Sequence, residues 1–298
     1  MQATVGILSA TPADRVSGFQ SHLLVRGTGV HLHDGYILTA RHAVERDEGS
    51  QKVVPKEILV LTAGLVELPA RLVGDSAYLD LVLYRVTETN REPLRTVTPF
   101  ATAEARAGDS VFTIGYPLGW GPAMAFGHVG NVNTFLPTVE TRLLQTDVPV
   151  CSGNSGGGLF NASGELVGIL HAIIRSDQGQ AEAHCSQLAF AVPAALAQRI
   201  VAALVEGKQP GFSWLGIQMT PIHVGPAWKL AVREATGPAK EGGLQQGDLI
   251  VAINDTAINN AAQLKNYLIE RTVPGQRVTL RVLRDGQELQ LTVTLGSR

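Results

Sequence analysis

Cys151-Ser152-Gly153-Asn154-Ser155-Gly156-Gly157-Gly158 sets one serine among four glycines, with a cysteine four residues ahead of it. Glycine gives backbone freedom and close approach, at an entropic cost that a plain core strand has no reason to carry. A turn of this composition can aim consecutive N–H groups into one small space beside a hydroxyl. Acyl transfer needs that combination: an oxygen nucleophile, and donors where negative charge will develop. Taken alone, the stretch favours an ordinary tight surface turn over a nucleophile, so the residues around it must decide.

Outward from this turn the chain reads as short strands. Leu143–Asp147 leads into it. Gly158-Leu159-Phe160 and Leu166–Leu170 form a hairpin around Asn161-Ala162-Ser163-Gly164. Val111–Pro117 is a strand ended by proline, and Gln187–Val192 is another. Towards the N-terminus, strands are expected over Gln20–Val30 and Tyr36–Ala40, turning at Asp34-Gly35, with His42 directly after the second. Ile58–Leu61 and Ala70–Gly74 follow, then Ala77–Val86, an apolar run that holds one carboxylate, Asp80. Aspartate is depleted from strands, and a buried carboxylate needs a partner. Asp80 therefore either faces water at a strand edge or orients a histidine. No helical pattern of about 10–15 residues separates these strands, which favours an all-β barrel or sandwich over an α/β fold.

The first clear helix runs from Pro193 to about Val205, with Pro193 at its first position, Leu196, Ile200 and Leu204 on one face, and Gly207 as its stop. Gly207-Lys208-Gln209-Pro210-Gly211 reads as a linker. The division is thus a first domain over 1–206, with a connector helix at 193–206, a linker at 207–211, and a second domain over 212–298. The second domain carries Trp214-Leu215-Gly216-Ile217, a strand at Asp248–Ile253, a helix near Asn260–Arg271 with Leu264 and Leu268 at i, i+4, and a hairpin turning at Asp285-Gly286. That is a compact α+β module.

Composition narrows the function. Of 298 residues, 45% are apolar and 17% charged, as in an ordered globular protein. A net charge of −2 with no basic block argues against nucleic-acid binding and against a strongly anionic membrane surface. No apolar run reaches the ~18 residues of a membrane span. The start, Met1–Leu8, lacks a charged segment and a convincing apolar core, so no signal peptide is read there. His31 and His33 have His-x-His spacing, but without a third ligand nearby they read as side chains on one face of a strand. Cys151 and Cys185 do not fit a zinc signature. They are two buried thiols, or one disulfide worth roughly 3–4 kcal/mol in the chain-entropy model. No metal and no cofactor is expected.

His42, Asp80 and Ser155 follow one another in the order of the chymotrypsin-like triad. Gly153–Gly157 also matches Gly-x-Ser-x-Gly, yet a nucleophile elbow needs a helix straight after the serine, and Gly156-Gly157-Gly158 is a poor helix start. The motifs Asp34–Val44, Asp80–Leu83, Ile114–Gly119, Gln145–Asp147, Gly153–Gly157, Gly164–Ile169 and Phe190–Pro193 recur in one family. So do Trp214–Ile217, Gly243–Ile250 and Leu283–Gly286. Over about residues 20–298 the chain resembles an HtrA-type serine protease.

The resemblance implies a mainly β fold: a chymotrypsin/trypsin-like double β-barrel followed by a small α+β PDZ domain. It implies a serine endopeptidase acting on unfolded or misfolded proteins, with Ser155 as nucleophile, His42 as base, Asp80 as its orienting carboxylate, and the N–H groups of Gly153 and Ser155 as oxyanion hole. It puts Pro149 at the base of the primary pocket and His171, Ala172 and Ile173 on one wall, so aliphatic or small residues are expected on the acyl side of the cut. His171 stands where the family usually has Ser or Thr supporting the triad carboxylate. Cys151 matches a bridged cysteine of secreted trypsin-like enzymes, with Cys185 as its partner, which implies an oxidising, periplasmic or otherwise extracytoplasmic site. Trp214, Leu215, Gly216 and Ile217 would receive an apolar C-terminal peptide, with Leu264 and Leu268 lining its terminal pocket. The family trimerises through its N-terminal segment, where Phe19 is the one aromatic residue. A proteolytically silent peptide-binding scaffold or chaperone is the alternative.

Overall fold

Short amphipathic strands broken by glycine turns can bury their apolar faces by closing into barrels, and the first part of the chain does so twice. The computed structural model describes residues 3–8, 25–87, 94, 96–134, 141–173, 185–224 and 227–298, without the side chains of residues 172, 173, 227 and 228. The chain divides into two units, Met1–Pro210 and Gly211–Arg298.

In the first unit, β1 (Thr4–Leu8), β2 (Val25–His31), β3 (Tyr36–Ala40), β4 (Glu57–Thr62), β5 (Glu67–Ser76) and β6 (Leu81–Val86) close a barrel in the order β1-β2-β3-β6-β5-β4. Val5, Ile7, Ile37, Val60, Val82 and Tyr84 fill it. A second barrel is made by β7 (Ser110–Gly115), β8 (Ala123–Thr134), β9 (Leu143–Thr146), β11 (Gly158–Asn161), β12 (Leu166–Ile173) and β14 (Ala189–Pro193). β10 (Val150–Cys151) and β13 (Cys185–Ser186) pair in a separate two-stranded ribbon. Val111, Leu144, Leu159 and Leu170 lie in this second core. Tyr116, just past β7, is buried among Leu8, Val25, Leu59 and Leu61 of the first barrel. Its hydroxyl donates to Leu61 O at 3.2 Å. Burial pushes this phenol up to about 12, so it stays a neutral donor tying the barrels together.

The helix α1 is Ala194–Val205. Pro193 ends β14 and precedes the first helical residue, one position earlier than expected, because its carbonyl side is still in extended backbone (ψ 142°). Leu196, Ile200 and Leu204 are buried as the i, i+4 spacing requires.

In the second unit, β16 (Ile217–Val224), β17 (Ala227–Ala235), β18 (Leu249–Ile253), β20 (Arg277–Arg284) and β21 (Gln287–Thr294) form one sheet in that order, and β19 (Thr256–Ala257) pairs with β18. β15 (Ser213–Trp214) pairs with β22 (Gly296–Ser297). The short helix α2 is Gly237–Glu241, and α3 is Ala261–Arg271, capped by Asn260, whose side chain accepts Gln263 N–H at 2.9 Å. Asp248, fully enclosed, is held by the fork of Arg284 at 2.7 and 2.8 Å and by Gln245 N–H at 2.9 Å. Burial opposes its charge, but these donors outweigh that and lower its carboxyl below the usual range.

Candidate active site

The β3–β6 register decides where two of the candidates go. Ala40 pairs with Leu81 in an antiparallel ladder, so residues after Ala40 and before Leu81 leave the barrel at the same end. Arg41 N–H donates to Asp80 O at 2.8 Å, and His42 follows in the single 3-10 turn Arg41–Ala43. Asp80 stands one residue outside β6, with φ of 54°, not within a strand as the apolar run suggested. Left-handed backbone is costly for most L-residues and tolerated by aspartate. From there Asp80 Oδ1 accepts His42 N–H at 2.9 Å, and Oδ2 receives His42 Nδ1 at 2.5 Å. A proton on Nδ1 leaves Nε2 of the neutral ring as an acceptor. Burial works against the Asp80 charge. Contacts with His171 and His42 overcome it and hold the carboxyl well below the usual carboxylate range.

Glycines bring the serine turn against the same strand end. A Cβ on Gly27 would lie 2.6 Å from Ala43 Cβ and 3.2 Å from Ser155 O, so the neighbour of His42 and the serine backbone share that glycine's space. Thr28 N–H donates to Ser155 O at 2.8 Å. A Cβ on Gly156 would stand 2.6 Å from Ala40 N.

The turn itself is pinned at its carbonyls. Ser152 O accepts Leu118 N–H at 2.6 Å, and Gly153 O accepts Thr28 Oγ1–H at 2.6 Å. Thr28 Oγ1 in turn accepts Tyr116 N–H at 3.0 Å, and Thr39 Oγ1 donates to Thr28 O at 2.7 Å. With Ser152 O tied back, the Gly153 N–H of the same peptide points the other way. Among the described residues neither Gly153 N–H nor Ser155 N–H donates to a protein acceptor. Asn154, buried, exchanges two hydrogen bonds of 3.0 Å with the Cys151 backbone, and Cys151 is bonded to Cys185 in a disulfide. Thr28, Thr39 and Asn154 support the turn, yet nothing in their spacing marks Thr28 or Thr39 out: both read as plain strand residues.

Gly153 has φ of 98°, and a Cβ there would collide with Tyr116 O. Gly153→Ala is therefore expected to displace the 152–153 peptide and cost about 10²–10³ in kcat, the usual effect of losing one such donor. Steady-state kinetics would check it; a loss under tenfold would remove Gly153 from the oxyanion role.

Gly156 N–H donates to Leu170 O at 2.8 Å, so the next residue, His171, arrives beside the serine turn. The His171 ring faces the carboxylate, at the position expected to support it. Its side chain is 11% exposed, and Nδ1 lies 2.8 Å from Asp80 Oδ2, off the line of a hydrogen bond. It stands edge-on to His42, with ring centroids 5.7 Å apart. Pro149 is exposed, between β9 and β10. Ala172 and Ile173 continue β12 opposite Phe190 and Ala189, and their side chains lie outside the described residues. His31 and His33 part company: His31 is buried with Nδ1 against Thr96 O at 2.7 Å, and His33 is exposed beside Asp34.

In the second unit, Gly216 takes φ of 82°, with its carbonyl held by Thr236 N–H at 2.7 Å, and Leu215 O accepts Ala239 N–H at 2.9 Å. With the Leu215 carbonyl tied back, the Gly216 N–H of the same peptide points the other way, and among the described residues neither the Leu215 nor the Gly216 N–H donates to a protein acceptor. β16, which follows, is the end strand of its sheet, and α3 packs beside it. An end strand flanked by a helix can accept an added peptide strand. Leu264 is fully buried and Leu268 nearly so, both within the core, which corrects the expectation that Leu264 lines an open pocket.

Two family models match: a trypsin-like peptidase domain over residues 27–169 and a PDZ domain over residues 213–295. A probable periplasmic serine endoprotease DegP-like of Halomonas elongata is 32% identical over 294 residues, covering 94% of this chain and 58% of that protein. The protein of the same description from Bartonella henselae is 32% identical over 91% of this chain and 53% of its own length. The chain thus spans a little over half the length of these curated relatives. Among solved structures, the HtrA-type protease AlgW with decapeptide has a TM-score of 0.75 at 27% identity, covering 100% of this chain and 96% of that one. The serine endoprotease from Yersinia pestis has a TM-score of 0.68 at 25% identity, covering 100% and 94%.

Proposed function

The chain belongs to the HtrA-type proteases, a trypsin-like peptidase domain followed by a PDZ domain, and from that premise we propose that it is a serine endopeptidase cleaving unfolded or misfolded protein chains. In this reading the protease domain runs over 1–206, the linker over 207–211 and the PDZ domain over 212–298.

The observation that carries this reading is the Asp80 carboxylate on His42 Nδ1 beside a serine turn whose two inner N–H groups are unspent. Ser155 Oγ attacks the peptide carbonyl while His42 Nε2 takes its proton and later gives it to the leaving amine. Asp80 fixes the tautomer and stabilises the imidazolium. Gly153 and Ser155 N–H groups receive the oxyanion. Pro149 at the pocket base, with no acidic side chain, suits aliphatic or small residues on the acyl side.

The PDZ domain takes C-terminal peptides ending in an apolar residue, by adding a strand to β16 with the carboxylate at the Leu215–Gly216 N–H groups. An extracytoplasmic site is supported by relatives described as periplasmic and by the disulfide. Assembly as a homotrimer is part of this reading; Phe19 falls outside the described residues.

The test is cleavage of casein with and without a peptide ending in an apolar residue. Turnover that changes with the peptide is expected, and both effects together tie the protease to the PDZ domain. Absence of turnover under every condition, and of labelling by a serine-reactive phosphonate, would leave a silent peptide-binding scaffold.

A further inference from the structure

Sequence spacing hides a group of donors that the fold assembles. His42, Asp80 and His171 each offer one ligand atom within 4.8 Å of the others, and among the described residues this is the one group of three such side chains. Two imidazoles and a carboxylate form a donor set typical of zinc. The exposed pairs His33 with Asp34 and His128 with Asp147 bring only two donors each.

We propose that His42, Asp80 and His171 form a reversible inhibitory site for a zinc-like divalent cation. His171 is what makes it. Without it only the base and its carboxylate would remain, too few donors for a firm site. His171 Nδ1 is buried 2.8 Å from the carboxylate without hydrogen-bond geometry, so the fold already sets it beside the oxygen with which it would share an ion. Metal–nitrogen and metal–oxygen bonds of about 2.0–2.2 Å set tetrahedral donors roughly 3.3 Å apart. His42, with 40% of its side chain exposed, has the freedom to turn to that spacing and leaves an open side for entry and a water ligand. Hard cations that prefer oxygen ligands, calcium and magnesium, do not suit this set. An ion on the His42 ring removes the base from proton transfer, so binding and proteolysis exclude each other.

The inhibition rests on the protease reading; the ion binding does not. Zinc is titrated by calorimetry into Ser155→Ala and into Ser155→Ala/His171→Ser, and zinc inhibition of casein cleavage is measured in the wild type and in His171→Ser, each against its own metal-free rate. One ion per chain is expected in Ser155→Ala. His171→Ser should weaken binding by about 100-fold or more, since outer-sphere partners alone are worth about 10–100-fold. Inhibition should be lifted by EDTA, be absent with calcium or magnesium, and shift with binding in His171→Ser. Equal zinc affinity with and without His171, equal inhibition of both enzymes, or no binding up to about 1 mM would overturn the site. A chain that binds zinc through His171 yet never cleaves casein would keep the site and overturn the protease reading instead.

Discussion

Ser155→Ala is expected to lower kcat for casein cleavage by about 10⁶-fold, the scale seen when a triad nucleophile is removed. The residual rate would come from binding and from the Gly153 and Ser155 N–H groups, which this change leaves in place. KM should move little, because the hydroxyl acts on the reacting carbonyl and not on the flanking chain. Folding stability should stay within about 0.5 kcal/mol, since only one small oxygen is lost. Single-turnover cleavage and thermal denaturation check the two halves. Cleavage within tenfold of wild type would place the nucleophile elsewhere, and loss of folding together with activity would make the serine structural.

Asp80→Asn is expected to cost about 10⁴ in kcat, with KM nearly unchanged. An asparagine amide fills the same space, but it can donate to His42 Nδ1 and so favour the tautomer whose Nε2 carries a proton and cannot accept one. The variant also tests a stability signature. The folded carboxyl is depressed, so Asp80 stabilises the fold fully above its unfolded value of about 3.9 and loses that contribution as pH falls through and below it. The stability gap between wild type and Asp80→Asn should therefore be constant near neutrality and shrink below about pH 4. Denaturation at a series of pH values measures it. A gap that widens on acidification, or a kcat loss under tenfold, would sink the role given to Asp80.

Local chemistry made much of the chain legible. Alternating apolar runs with glycine turns and no intervening helical period imply an all-β barrel or sandwich, because such strands must cover one face. The Leu196, Ile200, Leu204 spacing marks a helix by itself, and the Leu264, Leu268 pair marks another. Where the reading slipped, a tertiary constraint outranked the local pattern. Asp80 sits inside an apolar run in sequence but outside the strand in space, because its left-handed backbone swings the carboxylate back to His42. Leu264 has the spacing of a groove residue and is claimed by the core.

Sequence alone determined the order His42, Asp80, Ser155, the glycine-rich turn, and the division into a β-rich part and a smaller α+β part, since each depends on residue type and short-range spacing. Only the tertiary structure decided what those residues touch. The Ala40–Leu81 register sets Asp80 beside His42, Leu118 fixes the Ser152 carbonyl and so aims the Gly153 N–H while Thr28 holds the carbonyl after it, and the Gly156–Leu170 hydrogen bond delivers His171 to the same carboxylate. Those contacts join residues tens to more than a hundred positions apart, and one step of strand register would turn each side chain to the other face.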